Sequence, residues 1–275
     1  MPGSQDFAAD TRNAGLKVWL NGALAPKDEA KVSIFDAGCV LGDGVWEGLR
    51  LHRGALLFLD RDQMKAALQA TLAANSMHHG AHLRLMATRG VKAAVNQDPR
   101  NALGPATIVI VAEYKELSAE IASKGLSLAT SSIRCTPADM FDMRLNSHSR
   151  LPLIRALIDA IKSGADEALM LDPGGFISSC NATNLFWVKD GEVRTSTGEF
   201  CFNGVTRGAV IRLCDANQIP LRLDYFPVSD IHAADEAFVT GTFGGVTPVR
   251  QVDGQILPSG TPGPLTAKLR SLYEA

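Results

Sequence analysis

The sequence predicts an α/β (α+β) protein of two domains. At 275 residues the chain exceeds one ordinary domain of about 150. Short alternating or β-branched runs are interspersed with helical-period segments along its whole length. The strand pattern also restarts after a polar stretch at residues 116–124, which places an N-terminal α/β domain over 1–120 and a C-terminal α/β domain over 121–275.

Composition excludes several classes of protein. With 46% hydrophobic and 20% charged residues the chain has enough apolar surface for a sizeable core and too much to be disordered. Lys+Arg 27 against Asp+Glu 29 gives a net charge of −2 with no basic block, which argues against a nucleic-acid partner. The longest apolar runs, 55–59 and 108–112, are far shorter than the roughly 20 residues of a membrane span. Residues 1–6 lack the basic-then-apolar pattern of a secretory leader, so the expected compartment is the cytoplasm. Five scattered cysteines without a C-x-x-C pair argue against a disulfide framework or structural zinc, and most are expected to be buried thiols.

The elements follow in order. Val18-Trp19-Leu20, Asn21-Gly22 and 23–26 read as strand, tight turn and strand, because Asn-Gly adopts positive φ at little cost. Residues 31–35 alternate as a strand does, and 42–51 form a second strand entered through glycines and turned back at Arg53-Gly54 into 55–59. Asp60 is placed to cap a helix over 61–73, where Met64, Ala67, Leu68 and Leu72 recur at helical spacing. Strands at 82–90 and 106–114, the second central, flank a polar loop at 91–105. In the second half, 125–130, 167–171, 176–177, 185–188, 191–193 and 236–240 read as strands. Residues 151–163, 206–217 and 264–273 read as helices, the first stopped by Gly164.

Several segments could carry chemistry. The start of the helix after Asn203-Gly204-Val205-Thr206 leaves backbone N–H groups free for an anion, although an N-cap by Thr206 explains the pattern equally. The glycines after Thr240-Gly241-Thr242-Phe243 could form an anion nest or merely a turn. Arg89, ending a strand, could grip a carboxylate through its fork or simply be solvated. His148, between two serines, and Cys180, beside Ser178 and Ser179, are candidate acid/base or nucleophilic groups, set against capping serines and a buried thiol. His78, His79 and His82 cluster, but Gly80 interrupts any helix and no carboxylate flanks them, so no metal site is expected. The doublets Asp166-Glu167 and Asp235-Glu236 point to opposite strand faces and are read as structural.

Taken together, Gly42-Asp43-Gly44-Val45-Trp46-Glu47-Gly48, Thr88-Arg89-Gly90, Gly164-Ala165-Asp166-Glu167-Ala168, Asn184-Leu185-Phe186, Gly204-Val205-Thr206-Arg207, Ala234-Asp235-Glu236, Thr240-Gly241-Thr242 and Thr247-Pro248-Val249 closely resemble the class IV aminotransferases. These are the fold-type IV pyridoxal-phosphate enzymes that include branched-chain and D-amino-acid transaminases and aminodeoxychorismate lyase. The resemblance spans nearly the whole chain. It implies two α/β domains with an interdomain cleft, a homodimer, and a small amino-acid-like or oxo-acid-like ligand. It also implies that Val205 and Thr206 hold the cofactor phosphate, that Thr242 and Phe243 meet the substrate carboxylate, and that Arg89 grips it.

The covalent machinery departs from the family pattern. Counting back from Gly164, the family's Schiff-base lysine falls on Asn146. Counting back from Asn184, the carboxylate that pairs with the pyridine nitrogen falls on Ser179. The family's His-x-x-Arg falls on Asp62-Gln63-Met64-Lys65, so Lys65 replaces the phosphate-binding arginine. An amide has no titratable amine, a neutral hydroxyl does not hold the pyridinium protonated, and lysine keeps charge without the bidentate fork. The leading expectation is a member that forms no covalent link to pyridoxal phosphate and retains a carboxylate site. Its polar groups Asn146, Ser147, His148, Ser179 and Cys180 would run cofactor-independent hydrolysis or proton transfer. The alternatives are a genuine pyridoxal-phosphate aminotransferase and a non-catalytic ligand-binding homologue.

Overall fold

The computed structural model describes residues 9–53, 55–56, 64–115, 119–259 and 261–275. It divides into two units, one holding the described residues 9–115 together with Asn146–Arg150, the other holding the described residues 119–145 and Leu151–Ala275.

The first unit contains β1 (Lys17–Leu20), β2 (Ala23–Pro26), α1 (Ala37–Leu41), β3 (Gly44–His52), β4 (Ala55–Leu56), α2 (Lys65–Ala74), β5 (Ala81–Thr88) and β6 (Thr107–Tyr114). Its six strands run in the order β2-β1-β6-β5-β3-β4 and pair antiparallel, with β6 in the sheet interior as its β-branched run demands. The β1–β2 turn takes positive φ at Asn21 and Gly22. Leu83 and Ile110 are fully buried under Leu68 of α2, forming the core of this unit. The proposed helix cap at Asp60 and residues 57–63, including Asp62 and Gln63, lie outside the described residues.

Residues 31–35 are not a strand. Asp36, fully buried, accepts from the Gly38 amide at 2.8 Å and the Thr107 hydroxyl at 2.6 Å, and this cap draws the following residues into α1. Ile34, 75% exposed, has no sheet face to cover it. Gly42, at φ 68°, ends α1 in the left-handed conformation and leads into β3.

Asn146–Arg150 joins this unit by pairing with the free start of β3. The Trp46 amide donates to the Asn146 carbonyl at 2.8 Å, and the His148 amide donates to the Gly44 carbonyl at 2.9 Å. Gly44 is required there: a Cβ would stand 2.9 Å from the Ala87 carbonyl oxygen and 3.0 Å from Nδ1 of His148.

The second unit contains α3 (Ala119–Lys124), β7 (Leu126–Arg134), α4 (Ala138–Phe141), α5 (Leu151–Lys162), β8 (Glu167–Leu171), β9 (Ile177–Cys180), β10 (Asn184–Lys189), β11 (Glu192–Ser196), α6 (Val205–Ala216), β12 (Leu221–Asp224), α7 (Val228–His232), β13 (Glu236–Gly241), β14 (Gly245–Val252), β15 (Gln255–Ile256) and α8 (Pro264–Glu274). Its main path is β12-β11-β10-β13-β14-β7-β8-β9, with β15 paired to β14. The pairs β7–β8 and β11–β12 are parallel, and the connections between their strands carry α5 and α6 respectively. Every residue of β8 is buried, as the apolar run at 168–171 predicts for a covered strand. Phe186 stacks on Phe238 with ring centroids 5.1 Å apart, while Trp187 anchors its indole N–H on Asp230 at 2.8 Å. β12 and β14 lie outside the strands expected from sequence. Leu221–Asp224 is a short, half-exposed stretch, and Pro248 interrupts the β-forming run of β14.

The acidic doublets are structural. Asp166 accepts from the Ser127 amide at 2.7 Å, and Glu236 accepts from Leu265 and Thr266 at the start of α8, where a carboxylate also complements the helix dipole. Glu167 is the costly member: it accepts from the Thr183 hydroxyl at 2.7 Å while Oε1 has no partner. Burial pushes its carboxyl up to about 7, against the Thr183 hydrogen bond and with help from Asp166.

Two outcomes follow for stability. Because the Glu167 pKa is raised on folding, the native chain keeps a proton that the unfolded chain releases between about pH 4.5 and 7. Stability from this group is therefore present at low pH and falls by about 3 kcal/mol as pH rises through that window. Glu167→Gln removes this dependence, so its melting temperature relative to the natural chain rises by several degrees from pH 5 to pH 8 in thermal melts. Gly44→Ala forces its methyl against Ala87 and His148 and costs about 1–3 kcal/mol in chemical denaturation.

Candidate functional site

In the second unit, Asn184 links the two segments considered for anion binding at the same end of the sheet. Its backbone pairs with Thr240, the penultimate residue of β13. Its side-chain oxygen accepts from the Gly204 amide at 3.3 Å, and its NH₂ donates to the Phe202 carbonyl at 2.8 Å. The start of α6 and the end of β13 are thereby tied through one residue. Gly204, not Thr206, is the N-cap, and it provides no side-chain hydrogen bond to the first turn. The amides of Val205 and Thr206 therefore open α6, whose dipole favours an anion. Thr206 is buried, its hydroxyl 3.5 Å from that of Tyr273. Thr240, 1% exposed, has a hydroxyl without a partner on the strand face it shares with Phe238. These donors suit a phosphate or a carboxylate. Thr242 and the buried Phe243 form the turn between β13 and β14.

Ser179 and Cys180 end β9 with both side chains buried. The Ser179 hydroxyl donates to the Cys180 carbonyl at 3.0 Å. Cys180 lies in the apolar cluster with Leu169 and Trp187, and burial, followed by the nearby Glu167, raises its thiol pKa well above the usual value. Burial of this kind disfavours the thiolate, in line with the buried-thiol alternative considered for Cys180.

In the first unit, Arg89 follows β5 and is committed to Asp43, Nε to Oδ2 at 2.6 Å and NH2 to Oδ1 at 3.1 Å. A substrate carboxylate would have to compete with that fork. Lys65 is the first residue of α2. Asn146 is 8% exposed, and its side-chain oxygen lies 3.4 Å from an Arg150 guanidinium nitrogen. Partial desolvation raises the Glu47 carboxyl, and a hydrogen bond with Asn146 pulls it back. His148 rests against Gly44 with a buried, unpartnered Nε2. Burial, then the charge of Arg84, depresses its pKa, with Asp36 opposing, which favours the neutral ring. The polar cluster expected from sequence is thus divided: Asn146, Ser147 and His148 belong to the first unit, Ser179 and Cys180 to the second.

Sequence inspection passed over Arg84 and Trp46 as site residues. The Arg84 guanidinium lies 3.9 Å from the Trp46 ring centroid and that of Arg150 5.6 Å, so two cations share one indole. The signal was available in the alternation of β5: Leu83 and Leu85 join the core, which places Arg84 on the opposite face.

The donors at the start of α6 fit the phosphate end of pyridoxal phosphate. The group at position 146 does not fit its aldehyde, since a buried amide offers no amine for condensation. The buried Ser179 hydroxyl is neutral and already donates to the main chain.

Among the described residues no three His, Cys, Asp or Glu side chains form a group able to hold a metal, and no helix is long and apolar enough to cross a membrane. The amino-transferase class IV family pattern matches residues 49–252. The branched-chain-amino-acid aminotransferase-like protein 2 of Arabidopsis thaliana is 33% identical over 95% of this chain, which spans 50% of that relative's length. A putative branched-chain-amino-acid aminotransferase of Methanocaldococcus jannaschii is 31% identical over 94% of this chain and 96% of its own. The crystal structure of a T.th. branched-chain amino acid aminotransferase with pyridoxamine 5'-phosphate superposes with a TM-score of 0.85 at 27% identity, over 94% of this chain and 93% of that one. The chain is therefore a member of the class IV aminotransferase family and has the fold-type IV architecture.

Proposed function

We propose that this protein binds a small amino-acid-like or oxo-acid-like carboxylate, acts as a homodimer and forms no covalent link to pyridoxal phosphate. The observation that carries this reading is the amide at position 146. It stands where the family pattern has its lysine, is buried, and is engaged with Arg150 instead of offering a nucleophile. Ser179 supports the same reading, because a neutral hydroxyl replaces the carboxylate that keeps the pyridine nitrogen protonated in the family.

The anion seat is the retained part. The opening amides of α6 supply donors and positive dipole, Asn184 holds the loop before them, and the Thr242–Gly244 turn adds backbone groups at the same end of the sheet. In the first unit His148, whose pKa burial lowers, is the side chain suited to accept and return a proton. Cofactor-independent proton transfer is the chemistry an imidazole at this position supports. The burial of Cys180 in an apolar cluster speaks against hydrolysis through its thiol.

A second reading, a genuine pyridoxal-phosphate aminotransferase, is favoured by the likeness to the T.th. enzyme, whose structure contains pyridoxamine 5'-phosphate. Incubation with pyridoxal phosphate, borohydride reduction and intact-mass analysis separate the two. The expected result is no stoichiometric, dialysis-resistant adduct on the natural chain and its appearance in Asn146→Lys. One adduct per natural chain, mapped to a single lysine, would establish the second reading.

Binding is read by thermal shift. A carboxylate or inorganic phosphate at 100 times its dissociation constant stabilises the chain by about 2.7 kcal/mol. In Gly204→Ala the new methyl lies 2.7 Å from the Asn184 side-chain oxygen and displaces it, so the ligand-induced shift is expected to disappear.

A further inference from the structure

Glu167 is a buried carboxyl that the proposed site does not use, yet one side chain separates it from that site. On β8 it shares the face of Leu169 and Leu171, over the apolar cluster of the second unit, and it is 2% exposed. Its Oε2 accepts from the Thr183 hydroxyl at 2.7 Å, and its Oε1 is buried without a partner. Among the described residues no cation pairs with it. Its register partner on β7 is Leu128, and the titratable group nearest to it from β9 is the Cys180 thiol. Asp166, its neighbour along the chain, is engaged with Arg250 at 3.2 Å and with the Ser127 amide.

Thr183 belongs to the loop between β9 and β10, which is fastened to β8 at two points. Asn181 exchanges hydrogen bonds with Ala168, its side-chain oxygen accepting at 2.8 Å and its amide donating at 3.0 Å. Glu167 supplies the second point through the Thr183 hydroxyl. Thr183 in turn touches both candidate anion-binding segments. Its methyl lies 3.4 Å from the place of a Cβ on Gly241, where β13 enters the Thr242–Gly244 turn, and the next residue is Asn184, which accepts from Gly204.

Ionisation of Glu167 alters this arrangement in two ways. A carboxylate calls for donors on both oxygens, and the apolar surroundings provide one. It also sets an uncompensated negative charge beside the groups that an anion would use, which at short range inside a protein weakens binding by about tenfold. Burial pushes this carboxyl up to about 7, so the change falls near neutral pH.

We infer that Glu167 is a positioning residue that acts through Thr183 and couples anion binding in the second unit to protonation of its own carboxyl. The inference rests on the anion seat proposed above and adds its control by pH. The sign is fixed by charge. While the carboxyl is neutral the seat is favourable, affinity falls as pH rises through the titration, and by reciprocity a bound anion draws a proton onto Glu167.

Isothermal titration calorimetry on the full-length chain tests it with sulfate and pyruvate, whose charges stay constant from about pH 5.5 to about pH 8.5. Affinity of the natural chain is expected to fall about tenfold across that range, with net proton uptake near pH 7 revealed by buffers of different ionisation enthalpy. Glu167→Gln keeps an acceptor for Thr183 and is expected to bind with neither the pH dependence nor the uptake. Thr183→Val removes the one hydrogen bond that favours the carboxylate, so the midpoint of the affinity change is expected to move to higher pH, a shift that a merely structural contact would not produce. A natural chain that binds neither probe at any pH overturns the anion seat and this inference with it. Binding that is independent of pH, or a dependence that persists in Glu167→Gln, overturns the inference alone. Should Glu167→Gln misfold, an unmoved midpoint in Thr183→Val has the same consequence.

Discussion

The amide of Asn184 works in two directions at once. Its oxygen takes the Gly204 N–H, its nitrogen gives to the Phe202 carbonyl, and its backbone is in register with Thr240. A short loop that must start a helix with free amides cannot also satisfy itself, because using those amides internally would leave none for a ligand. Fastening the loop from a neighbouring strand resolves this conflict, since the restraint then comes from a residue that takes no place in the helix. Gly204 is part of the same arrangement, as any side chain there would occupy the position of the Asn184 oxygen.

The second constraint is the short main-chain pairing that carries residues 146–148 along the start of β3. It fixes Asn146 and His148 by backbone hydrogen bonds, so their positions do not depend on their own side chains. Arg150 sits beside Asn146, Arg84 shares the Trp46 ring with it, and burial followed by mutual repulsion lowers the affinity of the Arg150 guanidinium for its proton. Two guanidinium groups near one indole form a cationic environment in which a further ammonium would be unfavourable and an anion favourable.

Buried polar groups in the second unit divide by whether the strand geometry completes them. Glu236 receives two amides from the start of α8, and Arg194 is held between Glu192 and Asp230. Glu167 receives only one donor and therefore keeps its proton to near neutral pH. The difference lies in what packs opposite each carboxylate, not in the residue type.

Local rules made much of this protein legible from its sequence. Asn21-Gly22 specifies its hairpin, the apolar run at 168–171 a covered strand, and Gly164 the end of α5, because backbone conformation and alternation act over a few residues. The eight motifs indicated the family, and the absence of a lysine at position 146 was plain from the residues alone. What the sequence left open depends on partners distant along the chain. Residues 31–35 alternate like a strand yet form none, since Asp36 is capped with help from Thr107, 71 residues away. Arg89 reads as a free carboxylate grip until Asp43 is found within its fork, and Cys180 as a reactive thiol until the apolar cluster around it is seen. Composition and spacing determine which chemical groups are present. Only tertiary structure decides which are already satisfied, because desolvation and hydrogen bonding depend on neighbours that the chain brings together in space.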